Sequence, residues 1–222
     1  MLTFTKINIT GPDAFEFLQG QLTNDLRHLD NRDDILAAWC NPKGRVLWCG
    51  SVRAIDGGYS LDAPAETADD LIRRLTMFRF RAKVEFERSG DERDVDPATL
   101  IERGMPYVGR EQSEQFTPHM LNLDLLHAIS LDKGCYTGQE VVARTHYKGA
   151  TKRRTRRFSS TAALSVGDKI QRDGRDVGEV LNVAGTDLLA VVPVSDADTT
   201  LVSGAATLTP RAMAATGTPD RI

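Results

Sequence analysis

The sequence is poor in cysteine and contains no long hydrophobic run. Its three cysteines, Cys40, Cys49 and Cys135, are an odd number without C-x-x-C spacing, which argues against a disulfide framework. No stretch approaches the roughly 20 apolar residues that a membrane-spanning helix requires. The first residues do not resemble a secretory signal. We therefore expect a cytoplasmic protein in a reducing environment, with no membrane partner.

The chain also lacks a strong charge of either sign, since its formal net charge is −3. This excludes a protein that is basic over its whole surface, although a local basic face can still bind an anion. The four histidines are scattered, and none stands at zinc-finger spacing from a cysteine, so no metal site is predicted. Metal ligation by Cys135 with distant partners is an open alternative. Phosphate loops, dinucleotide fingerprints and Gly-x-Ser-x-Gly elbows are absent.

The composition is that of a globular protein, with 41% hydrophobic and 27% charged residues, and the length allows one large or two small domains. The pattern predicts a first helix opened by Thr10 and Asp13. A hairpin of strands Ile35–Cys40 and Val46–Ile55 follows, and then a helix over Ala65–Phe78.

The second half of the pattern is less regular. Residues 80–86 alternate between apolar and charged side chains, which predicts a strand with one face in water. Residues 89–97 and 105–117 are predicted to be loops. From Phe158 onward, short apolar runs between turns predict a small, closed or nearly closed β-domain, and residues 214–222 are predicted to be a frayed tail.

Residues 133–140, Lys-Gly-Cys-Tyr-Thr-Gly-Gln-Glu, hold a lone cysteine just ahead of a predicted helix. Thr137 and Glu140 stand at capping-box spacing, so Cys135 is expected two positions before the helix start. The partial positive charge at a helix N-terminus stabilises a thiolate and lowers the pKa of the thiol. The alternative is a glycine-flanked turn with a buried, inert cysteine.

Four neighbours of the thiol are assigned supporting roles. Lys133 and Arg144 are candidate cations beside a thiolate. Gly134 and Gly138 let the backbone turn sharply and approach a ligand closely.

A basic segment follows the predicted helix and carries six cations: Lys148, Lys152, Arg153, Arg154, Arg156 and Arg157. Such a run attracts phosphate or polycarboxylate, although a solvated strand between two domains explains it equally well. Aromatic residues occur only at its edges, which weakens the case for stacking on single-stranded nucleic acid.

The octamer resembles the motif of the YgfZ family, in which Lys-Gly-Cys-Tyr is followed by a variable residue and Gly-Gln-Glu. The motif is complete here, and residues 141–144 continue it. Residues 17–25, 41–45 and 149–153 also resemble family segments, in the family's order. These are folate-binding proteins, related in fold to the glycine-cleavage aminomethyltransferase and implicated in maintaining iron–sulfur enzymes.

The resemblance implies an α+β fold, with an aminomethyltransferase-like (GcvT-like) folate-binding region over residues 1–150 and a small C-terminal β-barrel over residues 151–222. It implies an accessory protein rather than a classical enzyme, which supports assembly or repair of iron–sulfur enzymes, including those that modify tRNA. The implied partners are folate and iron–sulfur proteins or their assembly factors, with direct RNA binding through the basic segment as an alternative. Cys135 has the central role, and the supporting motif residues are Lys133, Gly134, Tyr136, Gly138, Gln139, Glu140 and Arg144.

The implied cofactor is tetrahydrofolate, and the basic segment is suited to the carboxylates of a polyglutamylated form. Phe4 is a candidate for stacking on the pterin ring, with core packing as the alternative. Asn24 and Asp25 are candidates for hydrogen bonds to the pterin's amide edge, or they cap the next turn.

Two departures from the relatives shape this expectation. Where the aminomethyltransferase typically carries an aspartate facing the folate, this chain has Trp48 and Cys49, which implies folate binding without that transfer chemistry. A folate-dependent one-carbon transferase with altered catalytic residues is the alternative. Longer relatives also carry a larger central segment, where only residues 87–100 intervene here, so we expect a more open folate site.

Overall fold

The computed structural model describes residues 1–149 and 151–213, so the predicted tail at 214–222 lies outside it. The N-terminal part contains, in chain order, β1 (Leu2–Thr10), α1 (Ala14–Gln19), β2 (Ile35–Cys40), β3 (Val46–Ile55), β4 (Gly58–Pro64), α2 (Ala65–Phe78), β5 (Glu85–Val95), α3 (Pro97–Glu102) and α4 (Gln139–Lys148). The C-terminal part contains β6 (Arg153–Ser160), β7 (Lys169–Arg172), β8 (Arg175–Ala184), β9 (Asp187–Pro193), β10 (Leu201–Ser203) and β11 (Ala206–Arg211). Across the described residues, no helix is long and apolar enough to cross a membrane.

The N-terminal strands form one antiparallel sheet in the order β2-β3-β4-β1-β5. In the β2–β3 hairpin Trp39 lies opposite Trp48, and both indoles are buried. All six residues of β2 are buried, because both faces of this part of the sheet are covered. The apolar run that marks the strand in the sequence thus reflects burial on two sides.

One face of the sheet is covered by α1 and α2. Phe17 and Leu18 of α1, together with Ala68, Leu71 and Leu75 of α2, pack against the strands in one apolar cluster. The three α2 residues recur at helical spacing, which places them on a single side of the helix. Burial of each large apolar side chain contributes about 1.5–3 kcal/mol to folding.

The opposite face of the sheet is covered by the long segment between α3 and α4 and by the barrel. Ala38 and Cys49 of the sheet share a second apolar cluster with Phe116 of the long segment and with Leu181 and Leu189 of the barrel. The barrel therefore packs directly over the second face of the sheet.

Polar contacts reinforce that junction. Asn182 in β8 is fully buried and exchanges two hydrogen bonds with the backbone of Tyr107, donating to its carbonyl at 3.0 Å and accepting from its N–H at 3.2 Å. Gln112 donates to the carbonyl of Leu181 at 2.9 Å. Both contacts join the long segment to the same strand of the barrel.

The barrel is closed, with the strand order β10-β11-β6-β9-β8-β7. Its interior is filled by side chains that include Phe158, Ile170 and Leu208, each of them fully buried. The α+β fold with a small C-terminal β-barrel is confirmed. The predicted domain boundary between residues 150 and 151 stays a prediction, and β6 begins at Arg153.

Strands Ile35–Cys40 and Val46–Ile55 and the helix Ala65–Phe78 have their predicted bounds. Residues 105–117 contain no helix or strand, as predicted. The capping box at Thr10 was wrong, because Thr10 ends β1 and α1 begins only at Ala14.

The predictions for residues 80–86 and 89–97 were wrong. The strand β5 runs over Glu85–Val95 and pairs with β1 at the edge of the sheet, and α3 begins at Pro97. The charges of this segment resemble those of a loop because an edge strand needs few apolar residues and is protected by charged ones. Phe80 does not belong to a strand at all, and its side chain is 88% exposed.

Candidate functional site

The loop that carries Cys135 leads into α4, and Cys135 itself is exposed. The helix begins at Gln139, and its N-cap is Gly138 with φ of 83°, without a side-chain cap bond. The predicted capping box is therefore wrong: the hydroxyl of Thr137 donates to the side chain of Gln21 at 3.2 Å instead. Cys135 lies four residues before the first helical residue, which is beyond the first turn over which a helix dipole acts. The alternative of a buried, inert cysteine is also wrong for this position.

Lys133 anchors the loop in the protein interior. Its ammonium donates to three backbone carbonyls, those of Gln19 at 2.7 Å, Leu22 at 2.6 Å and Asn24 at 3.0 Å. An ammonium has three N–H donors, so all of them are in use and none is free for a thiolate. The predicted role of Lys133 as a cation beside Cys135 is replaced by a structural one. Burial lowers the pKa of Lys133 to about 8.

The residue on the other side of the thiol is buried as well. The ring of Tyr136 lies under the Lys133 ammonium, 5.2 Å from Nζ to the ring centroid, which is a cation–π contact. The Tyr136 hydroxyl has no hydrogen-bond partner among the described residues, and burial raises the pKa of this phenol. Gln139 closes the loop by accepting from the Tyr136 N–H at 3.3 Å. Cys135 thus projects from a loop whose two flanking side chains point into the protein.

Two glycines bring the octamer into contact with the β2–β3 turn. A Cβ added to Gly138 would lie 2.6 Å from the carbonyl oxygen of Asn41 and 3.2 Å from the Cα of Gly44. A Cβ on Gly44, whose φ is 68°, would lie 2.8 Å from the Cβ of Val141. Contact this close has room for glycine only, and it holds the start of α4 against the hairpin.

The remaining motif residues are open to solvent. Gly134 is exposed, and a Cβ there would meet nothing within 4 Å, so its predicted close approach to a ligand stays a prediction. Glu140 and Arg144 are exposed on α4, and neither forms an ion pair with another described residue. The space beside Cys135 is thus accessible to a partner.

The structure does not bring the three predicted folate contacts together. Phe4 is buried, has the Arg93 guanidinium 6.0 Å from its ring centroid, and faces a cavity of about 40 Å³ that Cys49 also lines. This volume is far below the roughly 300 Å³ of small ligand sites. Asn24 and Asp25 instead line a separate cleft of about 1150 Å³.

The side chains of Asn24 and Asp25 are already engaged. The amide of Asn24 donates to the carbonyls of Leu36 at 2.7 Å and His127 at 2.9 Å. The carboxylate of Asp25 accepts from Arg27 and from Gln19, and the hydrogen bond from the Arg27 side chain holds its pKa well below the ordinary range. Asp25 also caps the following turn through the Arg27 N–H. Their alternative role as turn and loop anchors is what the geometry supports.

Two arginines of the basic segment are neutralised by ion pairs within the protein. Arg154 forms two hydrogen bonds to Asp124, and Arg157 pairs with Asp187. Arg153 donates to the carbonyl of Val177. Lys152 is exposed, and the side chain of Lys148 lies outside what the structure describes. This segment therefore offers fewer unpaired cations to polyglutamate or RNA than its sequence indicates.

The two other cysteines are in the core. Burial raises the pKa of Cys49 and of Cys40 to about 12. The Cys49 thiol contacts the carbonyl of Pro106 at 3.6 Å, and the Trp48 indole donates to the carbonyl of Asp62 at 3.0 Å. Neither residue supplies the acid or the nucleophile that the one-carbon transferase alternative requires. No cluster of three or more metal ligands occurs among the described residues.

The sequence did not predict the residues that accept hydrogen bonds from the octamer. Gln21 accepts from both Thr137 and the Trp39 indole, and the Gly20 carbonyl accepts from the Thr137 N–H at 3.3 Å. Residues 133–144 therefore contact both residues 17–25 and residues 41–45. Their shared resemblance to one family was the signal that could have predicted this contact.

No family model matches the chain. The tRNA-modifying protein YgfZ of Klebsiella pneumoniae is 28% identical over 268 residues, covering 85% of this chain and 82% of that protein. The YgfZ protein of Vibrio atlanticus is 26% identical over 256 residues, covering 87% and 79%. That of Yersinia enterocolitica is 34% identical over 140 residues, covering 62% and 38%. The resemblance to YgfZ proteins is confirmed over most of the chain.

The fold has a solved counterpart. The glycine cleavage system aminomethyltransferase T from Bartonella henselae superposes with a TM-score of 0.64, covering 94% of this chain and 83% of that enzyme, at 15% identity. Likeness at that identity shows the fold alone. The Klebsiella alignment spans 268 residues although the present chain has 222, so relatives carry residues without a counterpart here.

Proposed function

We propose that this protein is a folate-binding accessory factor that supports the assembly or repair of iron–sulfur enzymes, including enzymes that modify tRNA, and that it acts through the thiol of Cys135. The observation that carries the proposal is the exposed thiol on a rigid support. Lys133 and Tyr136 fix the loop from within, while the Gly138–Gly44 contact fixes the helix that follows. A reactive group held this way is presented to a partner protein without loss of conformational entropy.

The printed names of the Klebsiella and Vibrio relatives support the link to tRNA modification. The aminomethyltransferase fold supports folate as the cofactor. The cleft of about 1150 Å³ lined by Asn24 and Asp25 is large enough for tetrahydrofolate. The carboxylate of Asp132 in this cleft suits the N–H groups of a pterin edge.

The charge of the cleft opposes a long polyglutamate tail. Five aspartates line it against two arginines: Asp25, Asp30, Asp33, Asp34 and Asp132 against Arg27 and Arg32. We therefore propose binding of the monoglutamate form, with no preference for additional glutamates.

A cellular assay tests the role of Cys135. In a bacterium that lacks its own YgfZ protein, the wild-type chain should restore a tRNA modification made by an iron–sulfur enzyme, measured by mass spectrometry of tRNA nucleosides. Cys135→Ser should abolish this while leaving the melting temperature within a degree or two of the wild type. The control is Cys49→Ala, which removes a core thiol and should retain activity. Full activity of Cys135→Ser, with normal protein levels, would refute the proposal.

A further inference from the structure

The turn between α2 and β5 exposes an aromatic ring among cations. We name residues 77–83 the Phe80 turn. The side chain of Phe80 is 88% exposed and that of Met77 is 66% exposed. Arg79, Arg81 and Lys83 are exposed around them. A large apolar side chain this open to water needs an explanation beyond local structure.

The exposure of Phe80 is imposed by the backbone. Phe80 has φ of 47°, in the left-handed region that a bulky residue rarely adopts. The turn is closed by the Ala82 N–H, which donates to the Arg79 carbonyl at 2.8 Å. It is tied to the start of α1 by the Lys83 N–H, which donates to the carboxylate of Asp13 at 2.7 Å.

The apolar neighbours of Phe80 anchor the turn to the hydrophobic core. Phe78 and Ala82 pack against the main core, and Val84 is buried in it. Phe80 alone is directed outward from this series. The ring is thus presented on an ordered support, and backbone strain of this kind concentrates at functional positions.

The three cations of the Phe80 turn lack ion-pair partners among the described residues. Residues 71–84 contain five cations and no acid. Arg73 and Arg74 form ion pairs with Asp70 and Glu114. Arg79, Arg81 and Lys83, by contrast, form no salt bridge with any described residue, and the side chains of Arg81 and Lys83 make no hydrogen bond within the described part of the chain. Two cations without a side-chain partner, together with Arg79, whose guanidinium donates only to the Val84 carbonyl at 3.5 Å, lie around an exposed ring and favour a partner that is both anionic and planar.

We propose that the Phe80 turn binds an unpaired base of a folded RNA, with the Phe80 ring stacking on the base and with Arg81 and Lys83 contacting the flanking phosphates. Unstacked bases in RNA loops are bound by aromatic rings and arginine in this way. The choice of RNA over DNA rests on the proposed role in tRNA modification. This surface differs from the basic segment at residues 148–157, in which Arg154 and Arg157 are paired with acids within the protein.

Direct binding tests the proposal. The full chain is titrated into a fluorescently labelled RNA hairpin with an unpaired loop, and affinity is measured by anisotropy at several salt concentrations. Phe80→Leu should weaken binding at least about five-fold, because it keeps the apolar bulk and removes the stacking ring. Phe80→Tyr should bind like the wild type. Since Phe80 is 88% exposed, both variants should keep the wild-type melting temperature, checked by circular dichroism.

Charge variants test the phosphate contacts. Arg81→Gln with Lys83→Gln should reduce the slope of log affinity against log salt by about two. The matched control is Arg73→Gln, which removes a cation that Asp70 already neutralises and should leave the slope unchanged. A second control, Tyr147→Leu, changes an aromatic side chain that is 69% exposed on α4 and should not affect binding.

Three outcomes would overturn the inference. One is wild-type affinity of Phe80→Leu for the hairpin, and another is equal affinity for a DNA hairpin of the same sequence. The third is Phe80-dependent binding to vesicles of anionic phospholipid without binding to RNA, which would assign the turn to a membrane surface. Cys135→Ser should bind RNA normally, so a failure of the proposed thiol function and a failure of RNA binding are separable.

Discussion

Arg154 on β6 and Asp124 in the segment before α4 form a bidentate ion pair, with N–O distances of 2.9 and 2.8 Å. Both side chains are mostly buried, with 17% and 12% of their surface exposed. Arg154 also donates to the carbonyl of His119 in the same segment. In the sequence, Arg154 resembles part of a solvated cationic run. In the structure it joins the barrel to the rest of the protein.

The ion pair makes stability depend on acid pH. Burial raises the pKa of Asp124, but the hydrogen bonds and charge of Arg154 outweigh this and leave that pKa below its ordinary value. A carboxyl with a lowered folded-state pKa stabilises the protein above its unfolded pKa of roughly 4, and this contribution is lost as the pH falls further.

Asp124→Asn should lower the free energy of unfolding at pH 7 by about 3 kcal/mol, because it leaves the Arg154 charge buried without its partner. The difference between wild type and variant should shrink below pH 4. Urea unfolding at pH 3, 5 and 7 checks both statements. A pH-independent difference would show that the pair contributes through shape alone. Asp187→Asn, which affects the more exposed pair with Arg157, is the control and should cost less than 1 kcal/mol.

Lys133→Met tests the internal anchor of the thiol loop. Methionine fills similar space but leaves three buried carbonyls without their donor, which should cost about 1–3 kcal/mol. The burial that lowers the Lys133 pKa to about 8 means that the unfolded chain holds this proton more tightly. Wild-type stability relative to the variant should therefore rise between pH 8 and pH 10. Thermal unfolding across this range measures it, and a relative fall would contradict the assignment.

The parts of the fold that the sequence predicts well are those in which local pattern and burial agree. The strand Ile35–Cys40 and the helix Ala65–Phe78 have apolar positions that match their buried faces. The edge strand β5 escapes prediction because its residues are mostly exposed and its partner, β1, lies more than 80 residues earlier for most pairs. Long-range pairing leaves no signal in a local window of sequence.

The same limit applies to the candidate site. The octamer itself is visible in the sequence, and so is the cysteine that it carries. The capping box at Thr137 satisfied every local rule, yet the threonine donates to Gln21, 116 residues away. The neutralisation of Arg154 by Asp124 is likewise a matter of tertiary contact. Motif recognition therefore located the loop that exposes Cys135, but it assigned several of its side chains to the wrong partners.

The contact between Gly138 and Gly44 predicts that Gly→Ala substitutions in this region lower the free energy of unfolding by different amounts. Gly138→Ala and Gly44→Ala each place a Cβ within 3 Å of another group at a left-handed backbone, so each should cost at least about 1–2 kcal/mol. Gly134→Ala is the matched control, since its Cβ would meet nothing within 4 Å and should cost under 0.5 kcal/mol. Urea unfolding gives the three values. Equal costs at all three positions would contradict the packing described for the start of α4.

Phe80 should be a site where glycine stabilises the protein. A bulky residue at φ of 47° carries strain of about 1–2 kcal/mol, and the lost side chain is 88% exposed, so its removal sacrifices little burial. Glycine relieves this strain. It also destabilises the folded state by about 0.5–1 kcal/mol, because it increases the conformational entropy of the unfolded chain. Phe80→Gly should thus unfold at the same or a slightly higher urea concentration than the wild type. The neighbouring Arg79→Gly is the control: its φ is −62°, so glycine brings only the entropic cost and should destabilise by about 0.5–1 kcal/mol. If Phe80→Gly were the more destabilised of the two variants, the Phe80 ring would have to pack against the protein. A ring packed in this way would not be available for stacking on a base.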